Sequence, residues 1–174
     1  MKAKGFIHLY TGNGKGKTTS AFGLAMRACY YGKRVYVFQF MKDGNSGEVR
    51  FLKEKCKTAK LFFENFKGFL NEKNFNEYKK LSESLFNRLK RLIEEGDFPD
   101  ILILDEINPA IHYELIEKEE FLDFLKNIKG KFEIILTGRY AVKEVEEICD
   151  LYTEFVEKKH YYKNGIKARR GIEY

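Results

Sequence analysis

Short, continuously apolar runs alternate with helical patterns along the whole chain. Strands are predicted in GFIHLY (5–10), RVYVFQF (34–40), KLFF (60–63), ILIL (101–104) and EIILT (133–137). Helices are predicted from Thr18 to Tyr31, from Glu48 to Lys57, over 74–95, from Glu117 to Ile128 and from Lys143 to Cys149. Apolar strands joined by helices are typical of a parallel sheet with helices on both faces. Residues 1–174 are therefore predicted to form a single α/β domain.

Composition and cysteine content restrict the setting in which such a domain works. No apolar run approaches the roughly 20 residues that a membrane span requires, and the first ten residues lack the features of a signal peptide. Cys29, Cys56 and Cys149 are odd in number and form no CxxC pair. We expect three buried, unreactive thiols. These features predict a cytoplasmic protein in a reducing environment, with no membrane partner.

Charge is distributed unevenly along the chain. Residues 1–60 hold 13 basic and 3 acidic side chains, residues 61–156 hold 13 and 21, and residues 157–174 hold 6 and 2. A uniformly basic domain would indicate nucleic-acid binding. Basic ends around an acidic middle indicate a local anionic ligand instead, so no nucleic-acid partner is predicted.

A glycine-rich stretch, YTGNGKGKT (10–18), lies between the first predicted strand and the first predicted helix. The usual phosphate-binding pattern is G-x-x-x-x-G-K-[ST]. When its last three residues are aligned with Gly16, Lys17 and Thr18, its first glycine falls at position 11. Thr11 occupies that position, and the nearest glycine is Gly12, so the loop is one residue short. The order of strand, loop and helix still predicts a nucleotide-binding loop.

The loop residues suit a triphosphate chemically. Its glycines allow backbone N–H groups to turn toward phosphates without Cβ clashes. Lys17 is predicted to contact the phosphates, and Thr18 opens a helix and offers its hydroxyl to Mg²⁺. Lys15 is either another phosphate cation or a solvated side chain. The predicted nucleotide-binding residues of the loop are Gly12, Asn13, Gly14, Lys15, Gly16, Lys17, Thr18 and Thr19.

Polar residues also follow two later strands. ILILDE (101–106) places Asp105 and Glu106 at the end of a buried strand, where they could hold Mg²⁺ together with Thr18. LTGR (136–139) places Arg139 at the end of the next strand, and parallel sheets bind ligands outside the carboxyl ends of their strands. Arg27, nine residues after Thr18, is either a nucleotide ligand or a solvated surface arginine.

Five segments of the chain form a combined signature. They are TGNGKGKTTSAFGLAMRA (11–28), QF (39–40), LDEINPA (104–110), LTGR (136–139) and KHYYKNGIKARRGIEY (159–174). Together they resemble the ATP:cob(I)alamin adenosyltransferases of the corrinoid type. The resemblance implies a P-loop fold, a homodimer, and transfer of the 5′-deoxyadenosyl group of ATP to Co(I) of a corrinoid, with triphosphate leaving. It also implies that the nucleotide lies in the reverse sense to ordinary P-loop enzymes, which is compatible with a shortened loop.

The resemblance also implies roles for site residues and partners. Lys17, Lys15 and the loop N–H groups, with Mg²⁺ on Thr18 and Glu106, would stabilise the departing triphosphate. Lys17 is therefore predicted to be catalytic. Co(I) would come from a flavoprotein or another reductase, because nothing in the chain resembles a flavin or iron–sulfur site. The corrinoid would be cobalamin or an earlier precursor such as cobyrinic acid a,c-diamide.

The loop after the third strand departs from the family pattern. Family members commonly carry G-F-x-W there, and both aromatic side chains displace the lower axial ligand of the corrinoid. The sequence here is GFLN (68–71), so Phe69 matches and is implied to be catalytic, while Asn71 replaces the tryptophan. Phe66 or Phe75 could compensate, and Phe69 could instead simply cover the core. Longer members also carry a segment before the first strand that helps to cover the active site, where this chain has residues 1–4.

Two other functions are compatible with the same motifs. A P-loop ATPase or nucleotide kinase would use Glu106 as a base toward water or a hydroxyl group, and would release ADP instead of triphosphate. A nucleotide-dependent module that binds nucleic acid is the other alternative. The acidic middle of the chain and the lack of a basic–aromatic stripe disfavour it.

Overall fold

Six parallel strands form one sheet in the computed structural model, which describes residues 5–174. The strands are β1 (Ile7–Thr11), β2 (Val35–Gln39), β3 (Ala59–Phe63), β4 (Ile101–Asp105), β5 (Glu133–Thr137) and β6 (Leu151–Glu154). Their order across the sheet is β3-β2-β4-β5-β1-β6, and every neighbouring pair is parallel. The covering segment that longer family members carry would fall at residues 1–4, which lie outside the described residues.

Helices cover both faces of the sheet. They are α1 (Lys17–Tyr30), α2 (Gly47–Lys55), α3 (Phe75–Glu94), α4 (Ile107–His112), α5 (Lys118–Ile128), α6 (Lys143–Ile148) and a 3₁₀ helix at Tyr161–Asn164. One apolar cluster packs α1 and α2 against one face of the sheet. A second cluster packs α3, α4, α5 and α6 against the opposite face. The first four residues of β4 belong alternately to the two clusters, and all five residues of the strand are buried. The predicted fold class, a mostly parallel α/β sheet with helices on both faces, is confirmed.

Three elements escaped the sequence prediction, namely α4, β6 and the 3₁₀ helix at Tyr161–Asn164, although the predicted elements end within two residues of their observed bounds. The helix α4 is six residues long and contains Pro109, which is tolerated because it lies in the first turn. The strand β6 lies at the sheet edge with all four side chains exposed, so it has no apolar pattern. The structure also contains no helix that could cross a membrane within residues 5–174.

The cysteines differ from the prediction. Cys29 and Cys56 form a disulfide with a Cα–Cα distance of 5.8 Å. Cys29 lies in the last turn of α1 and Cys56 at the end of α2, and these helices pack side by side on one sheet face. The expectation of three free thiols is therefore wrong for this pair. Cys149 is free and half-buried.

The disulfide leads to a prediction about thiol number and stability. We expect one titratable thiol after unfolding of the oxidised protein and three after treatment with dithiothreitol. Reduction is expected to lower the free energy of unfolding by about 2–4 kcal/mol, because a chain segment spanning 27 positions is no longer closed. Denaturant unfolding with and without reductant measures this, with Cys149→Ser as the control. Three thiols and equal stability in both conditions would contradict the pairing.

Candidate active site

The carboxyl ends of β1, β2, β4 and β5 open into a cavity of about 1040 Å³. Its wall combines the glycine-rich loop, the loops that follow β2 and β3, the ends of β4 and β5, and the C-terminal tail. A cavity at this edge of a parallel sheet is where ligands of such folds bind. The predicted location of the site therefore coincides with this cavity.

The glycine-rich loop packs directly against the chain that follows β6. Gly12 and Gly16 have positive φ angles of 97° and 120°, which glycine adopts without strain. The Gly14 N–H donates to the Phe155 carbonyl oxygen at 2.6 Å, and a Cβ atom on Gly14 would lie 2.7 Å from that same oxygen. Gly14 is therefore needed for close backbone contact. The sequence analysis missed Phe155 because it missed β6.

Lys17 is nearly buried within the loop. Its ammonium group donates to the carbonyl oxygens of Gly12 and Gly14, both at 2.7 Å. Burial lowers the pKa of Lys17, and the charge of Glu106 partly opposes the shift. The loop's own carbonyl groups thus hold the ammonium group inside the loop, where Lys17 was predicted to meet phosphates.

Asp105 is the buried anchor of the site. Its Oδ1 accepts hydrogen bonds from the hydroxyl groups of Thr137 at 2.6 Å and Thr18 at 2.9 Å. Its Oδ2 accepts from Nζ of Lys42 at 2.7 Å and Nε2 of Gln39 at 2.9 Å. Burial alone would raise the pKa of Asp105, but Lys42 and the hydrogen bonds outweigh it and hold the pKa below its usual value. Asp105 is therefore a carboxylate that orients the groups around it.

Glu106 presents a second carboxylate to the cavity. Its backbone adopts a left-handed conformation with φ 58°, and its N–H donates to the Thr137 hydroxyl at 3.1 Å. The side chain is 25% exposed and lines the cavity. Burial raises the pKa of Glu106; Lys42 opposes the shift and Asp105 adds to it. The structure thus brings together Thr18, Asp105 and Glu106, the three predicted metal ligands.

The donor set of these three residues suits Mg²⁺. It consists of two carboxylates and a hydroxyl group, which are hard oxygen ligands, and phosphate oxygens commonly supply further ligands. The Thr18 hydroxyl donates its proton to Asp105, so its oxygen faces cations as an acceptor, and in this structure it accepts a hydrogen bond from Nζ of Lys42. No group of three or more His, Cys, Asp or Glu side chains lies close enough to hold a metal within residues 5–174. The described residues therefore contain no cluster of these side chains that could hold a metal without other ligands.

Lys42 is a further site residue that the sequence analysis missed. It follows β2, and its ammonium group contacts Asp105 and the Thr18 hydroxyl, the latter at 3.0 Å. Gln39, at the end of β2, also reaches Asp105. The signal was available, because polar residues at the carboxyl end of a buried strand were counted for β4 and β5 but not for β2.

Other predicted ligands have different surroundings. Asn13 and Thr19 line the cavity, as does Arg139, whose Nη2 lies 3.4 Å from the Asn13 carbonyl oxygen. Lys15 also lines the cavity but reaches the C-terminal tail, donating to the Ile172 carbonyl oxygen at 3.0 Å. Arg27 is exposed about 15 Å along α1 from its start, given a rise of about 1.5 Å per residue. It is not among the residues that line the described cavity.

Phe69 stands on the cavity side of a well-bonded turn. The side chain is 93% exposed and lines the cavity, so the alternative that it covers the core is wrong. Nδ2 of Asn71 and Nδ2 of Asn74 donate to the Phe69 carbonyl oxygen at 2.9 and 3.0 Å. The Tyr78 hydroxyl donates to the Gly68 carbonyl oxygen at 2.6 Å. Asn71, which replaces the usual tryptophan, therefore shapes the turn that presents Phe69.

The two other phenylalanines of this region are less open to a ligand. Phe66 is 4% exposed and packs against the Tyr78 ring with a centroid distance of 5.0 Å, although it does border the cavity. Phe75 is half-buried against the hydrophobic core. Phe69 is thus the aromatic side chain that this loop offers to the cavity.

Comparisons with known proteins identify the family of the chain. A sequence profile described as ATP:corrinoid adenosyltransferase BtuR/CobO/CobP matches residues 3–174. A corrinoid adenosyltransferase of Sinorhizobium is 34% identical, covering 98% of this chain and 81% of its own. The corrinoid adenosyltransferase CobA of Salmonella typhimurium is 31% identical, covering 100% and 88%. A corrinoid adenosyltransferase of Escherichia coli is 31% identical, covering 98% and 86%.

A more distant likeness concerns the fold alone. The crystal structure of a KaiC-like protein from Pyrococcus horikoshii superposes with a TM-score of 0.53 at 18% identity, covering 88% of this chain and 72% of that one. The profile match, by contrast, spans nearly the whole chain and includes every residue of the cavity wall. The chain therefore belongs to the ATP:corrinoid adenosyltransferase family.

Proposed function

We propose that the protein transfers the 5′-deoxyadenosyl group of ATP to the Co(I) centre of a corrinoid and releases triphosphate. One observation supports the proposal beyond family membership: a single cavity is lined by both the glycine-rich loop and an almost fully exposed phenylalanine, Phe69. Lys17 and the loop mark the side for the triphosphate. Phe69 marks the side for a large apolar ring system.

The reaction needs little acid–base chemistry. Co(I) supplies an electron pair to C5′ of ATP, a Co–C bond forms, and the C5′–O bond breaks with its electron pair going to the triphosphate. The cobalt centre is thereby oxidised to Co(III). The protein must align cobalt with C5′ and stabilise charge on the leaving group. Lys17 and the loop N–H groups are placed for the second task.

Mg²⁺ forms part of the proposal. Thr18, Asp105 and Glu106 would hold the ion, directly or through water, and Asp105 would also orient the Thr18 hydroxyl through the hydrogen bond described above. Bound there, Mg²⁺ would neutralise charge on phosphate oxygens. The hydroxyl and the cavity-facing carboxylate are the observations that support this assignment.

The remaining parts of the proposal follow from the family resemblance. The protein would act as a cytoplasmic homodimer, with residues 1–174 as one nucleotide-binding domain. A flavoprotein or another reductase would supply the electron that forms Co(I). The corrinoid would be cobalamin or a precursor such as cobyrinic acid a,c-diamide, so the reaction would belong to the synthesis or salvage of adenosylcobalamin.

A P-loop ATPase or nucleotide kinase is the second candidate function. Glu106 lines the cavity and burial raises its pKa, both of which suit a general base. The two candidates assign different work to this one carboxylate. A single substitution therefore separates them.

Glu106→Gln is expected to weaken the use of Mg²⁺. If Glu106 holds the metal, the Mg²⁺ concentration that gives half-maximal adenosyl transfer should rise about tenfold, and added Mg²⁺ should partly restore the rate. If Glu106 is a base, the change should stop ATP hydrolysis at every Mg²⁺ concentration and leave ATP binding intact. Rates measured across a Mg²⁺ series decide between these results. Glu48→Gln, which removes another carboxylate of the same cavity, is the control.

A further inference from the structure

The ammonium group of Lys42 lies among the three groups assigned to the metal. Nζ of Lys42 is 2.7 Å from Oδ2 of Asp105, 3.0 Å from Oγ1 of Thr18 and 3.5 Å from Oε1 of Glu106. The oxygens that would surround Mg²⁺ therefore already surround a positive charge that belongs to the chain. This contact set is distinct from that of Lys17, whose ammonium group is bound to loop carbonyl groups.

The two carboxylates need such a charge. Asp105 is fully buried and Glu106 is the next residue, so their negative charges lie close together with little water to screen them. The other donors to Asp105 are the neutral groups of Thr18, Thr137 and Gln39. Lys42 is the side chain that forms ion pairs with both carboxylates in the described residues.

We propose that Lys42 is a built-in counter-ion that occupies the divalent-cation position and is displaced when Mg²⁺ enters with ATP. The proposal rests on the metal site of the proposed function and adds a residue to it. Two cations cannot share the same oxygens at these distances without strong repulsion. Lys42 also lines the cavity that would receive the triphosphate, so its displaced ammonium group stays within reach of phosphate oxygens.

This arrangement couples the metal to the nucleotide. Mg²⁺ alone must displace the ammonium group of Lys42, which is already bound to the two carboxylates. It brings no new anionic partner for that ammonium group. Mg²⁺ that arrives with ATP brings a triphosphate, which gives the displaced ammonium group an anionic partner. The protein is therefore expected to take up Mg²⁺ with ATP and to respond weakly to Mg²⁺ alone.

The test uses Mg²⁺ alone, without ATP or corrinoid, and measures the thermal unfolding midpoint. Sodium chloride of matched ionic strength corrects for screening. In the wild-type protein, 10 mM Mg²⁺ (roughly ten times the dissociation constant of a weak site) is expected to change the midpoint little. In Lys42→Met the site is open, and the midpoint should rise by about 3–5 °C in a saturable manner.

Three further variants make the result specific. Lys42→Gln, which keeps a polar side chain, should show the same Mg²⁺-dependent rise and replaces Lys42→Met if that variant fails to fold. Lys60→Met removes a lysine from a surface ion pair of the same length, 2.7 Å to Asp97, and should respond as the wild type does. The double variant Lys42→Met with Glu106→Gln should lose the rise.

The outcomes are separable from those that test adenosyl transfer. An equal Mg²⁺ response in the wild type and both Lys42 variants would overturn the proposal, as would a rise of the same size in Lys60→Met. A Mg²⁺-dependent rise of the unfolding midpoint that persists in the double variant Lys42→Met with Glu106→Gln would place the added metal elsewhere. That result would also overturn the proposal. None of these results depends on turnover, so the role of Lys42 can fail while adenosyl transfer stands, and the reverse.

Discussion

Lys17→Ala is expected to lower the rate of adenosyl transfer by about 10²- to 10³-fold, the range for loss of one group that stabilises transition-state charge. The ammonium group of Lys17 lies inside the glycine-rich loop. Lys15, the other lysine of that loop, contacts the C-terminal tail. No other lysine of the described loop is therefore placed to substitute for it.

The control for Lys17→Ala must separate catalysis from folding. Lys15→Ala removes a charge two residues away and should reduce the rate less than tenfold, since roughly 1 kcal/mol or less is expected of an exposed pair. Thermal unfolding of both variants shows whether the loop's loss of its internal hydrogen bonds matters for stability. Near-normal transfer by folded Lys17→Ala would show that the triphosphate does not lie in this loop.

Phe69→Ala is expected to cost most of the activity when the assay starts from Co(II) and a flavoprotein donor, with a loss of about tenfold or more. Cob(II)alamin that retains its lower axial ligand is hard to reduce, because that ligand donates into the orbital that must accept the electron. An apolar side chain that displaces the ligand makes the reduction accessible. When Co(I) is supplied ready-made, the same variant should keep much more of its activity.

Phe69→Ala is informative because the residue has few structural duties. Its side chain is 93% exposed, and the turn is held through its carbonyl oxygen, which alanine retains. Phe51→Ala, on α2 and 43% exposed, is the matched control, and should leave both assays unchanged. Equal losses in the two assays would assign Phe69 to general corrinoid binding, and no loss in either would remove this loop from the active site.

A reverse substitution at the same loop extends this test. Asn71→Trp restores the family pattern but removes the hydrogen bond from Asn71 to the Phe69 carbonyl oxygen. Asn74 still donates to that oxygen, so we expect the turn to persist and the Co(II)-dependent reaction to improve. An unfolded or slower variant would mean that Asn71 is required for the turn in this chain.

The sequence predicted the central sheet well because four of its strands are covered on both faces. Every residue of β2 and β4 is buried, which makes each strand a continuous apolar run. The strand β6 has exposed side chains only, and its place beside β1 depends on backbone hydrogen bonds that leave no pattern in the sequence. The Cys29–Cys56 pair was unpredictable for a similar reason, since it depends on which helices pack together.

The candidate site was predictable where one chain segment contains its own signal. Thr18 follows a glycine-rich loop, and Asp105 and Glu106 end an apolar strand, so local order identified all three. Lys42 follows a buried strand, but its role depends on a contact with Asp105, 63 positions away at the end of β4, which requires β2 to lie beside β4. Arg27 shows the opposite case. It follows the glycine-rich motif closely in sequence, but it lies near the far end of α1 and so does not line the cavity.

The most direct test of the account is to identify the products formed from ATP, Mg²⁺ and chemically reduced cob(I)alamin under anaerobic conditions. Adenosylcobalamin is measured by its absorbance spectrum, and triphosphate and ADP are separated by ion-exchange chromatography. We predict adenosylcobalamin and inorganic triphosphate in equal amounts, with no accumulation of ADP and no consumption of ATP when corrinoid is omitted. Steady hydrolysis of ATP to ADP without corrinoid, and no adenosylcobalamin in its presence, would contradict the account and favour the ATPase.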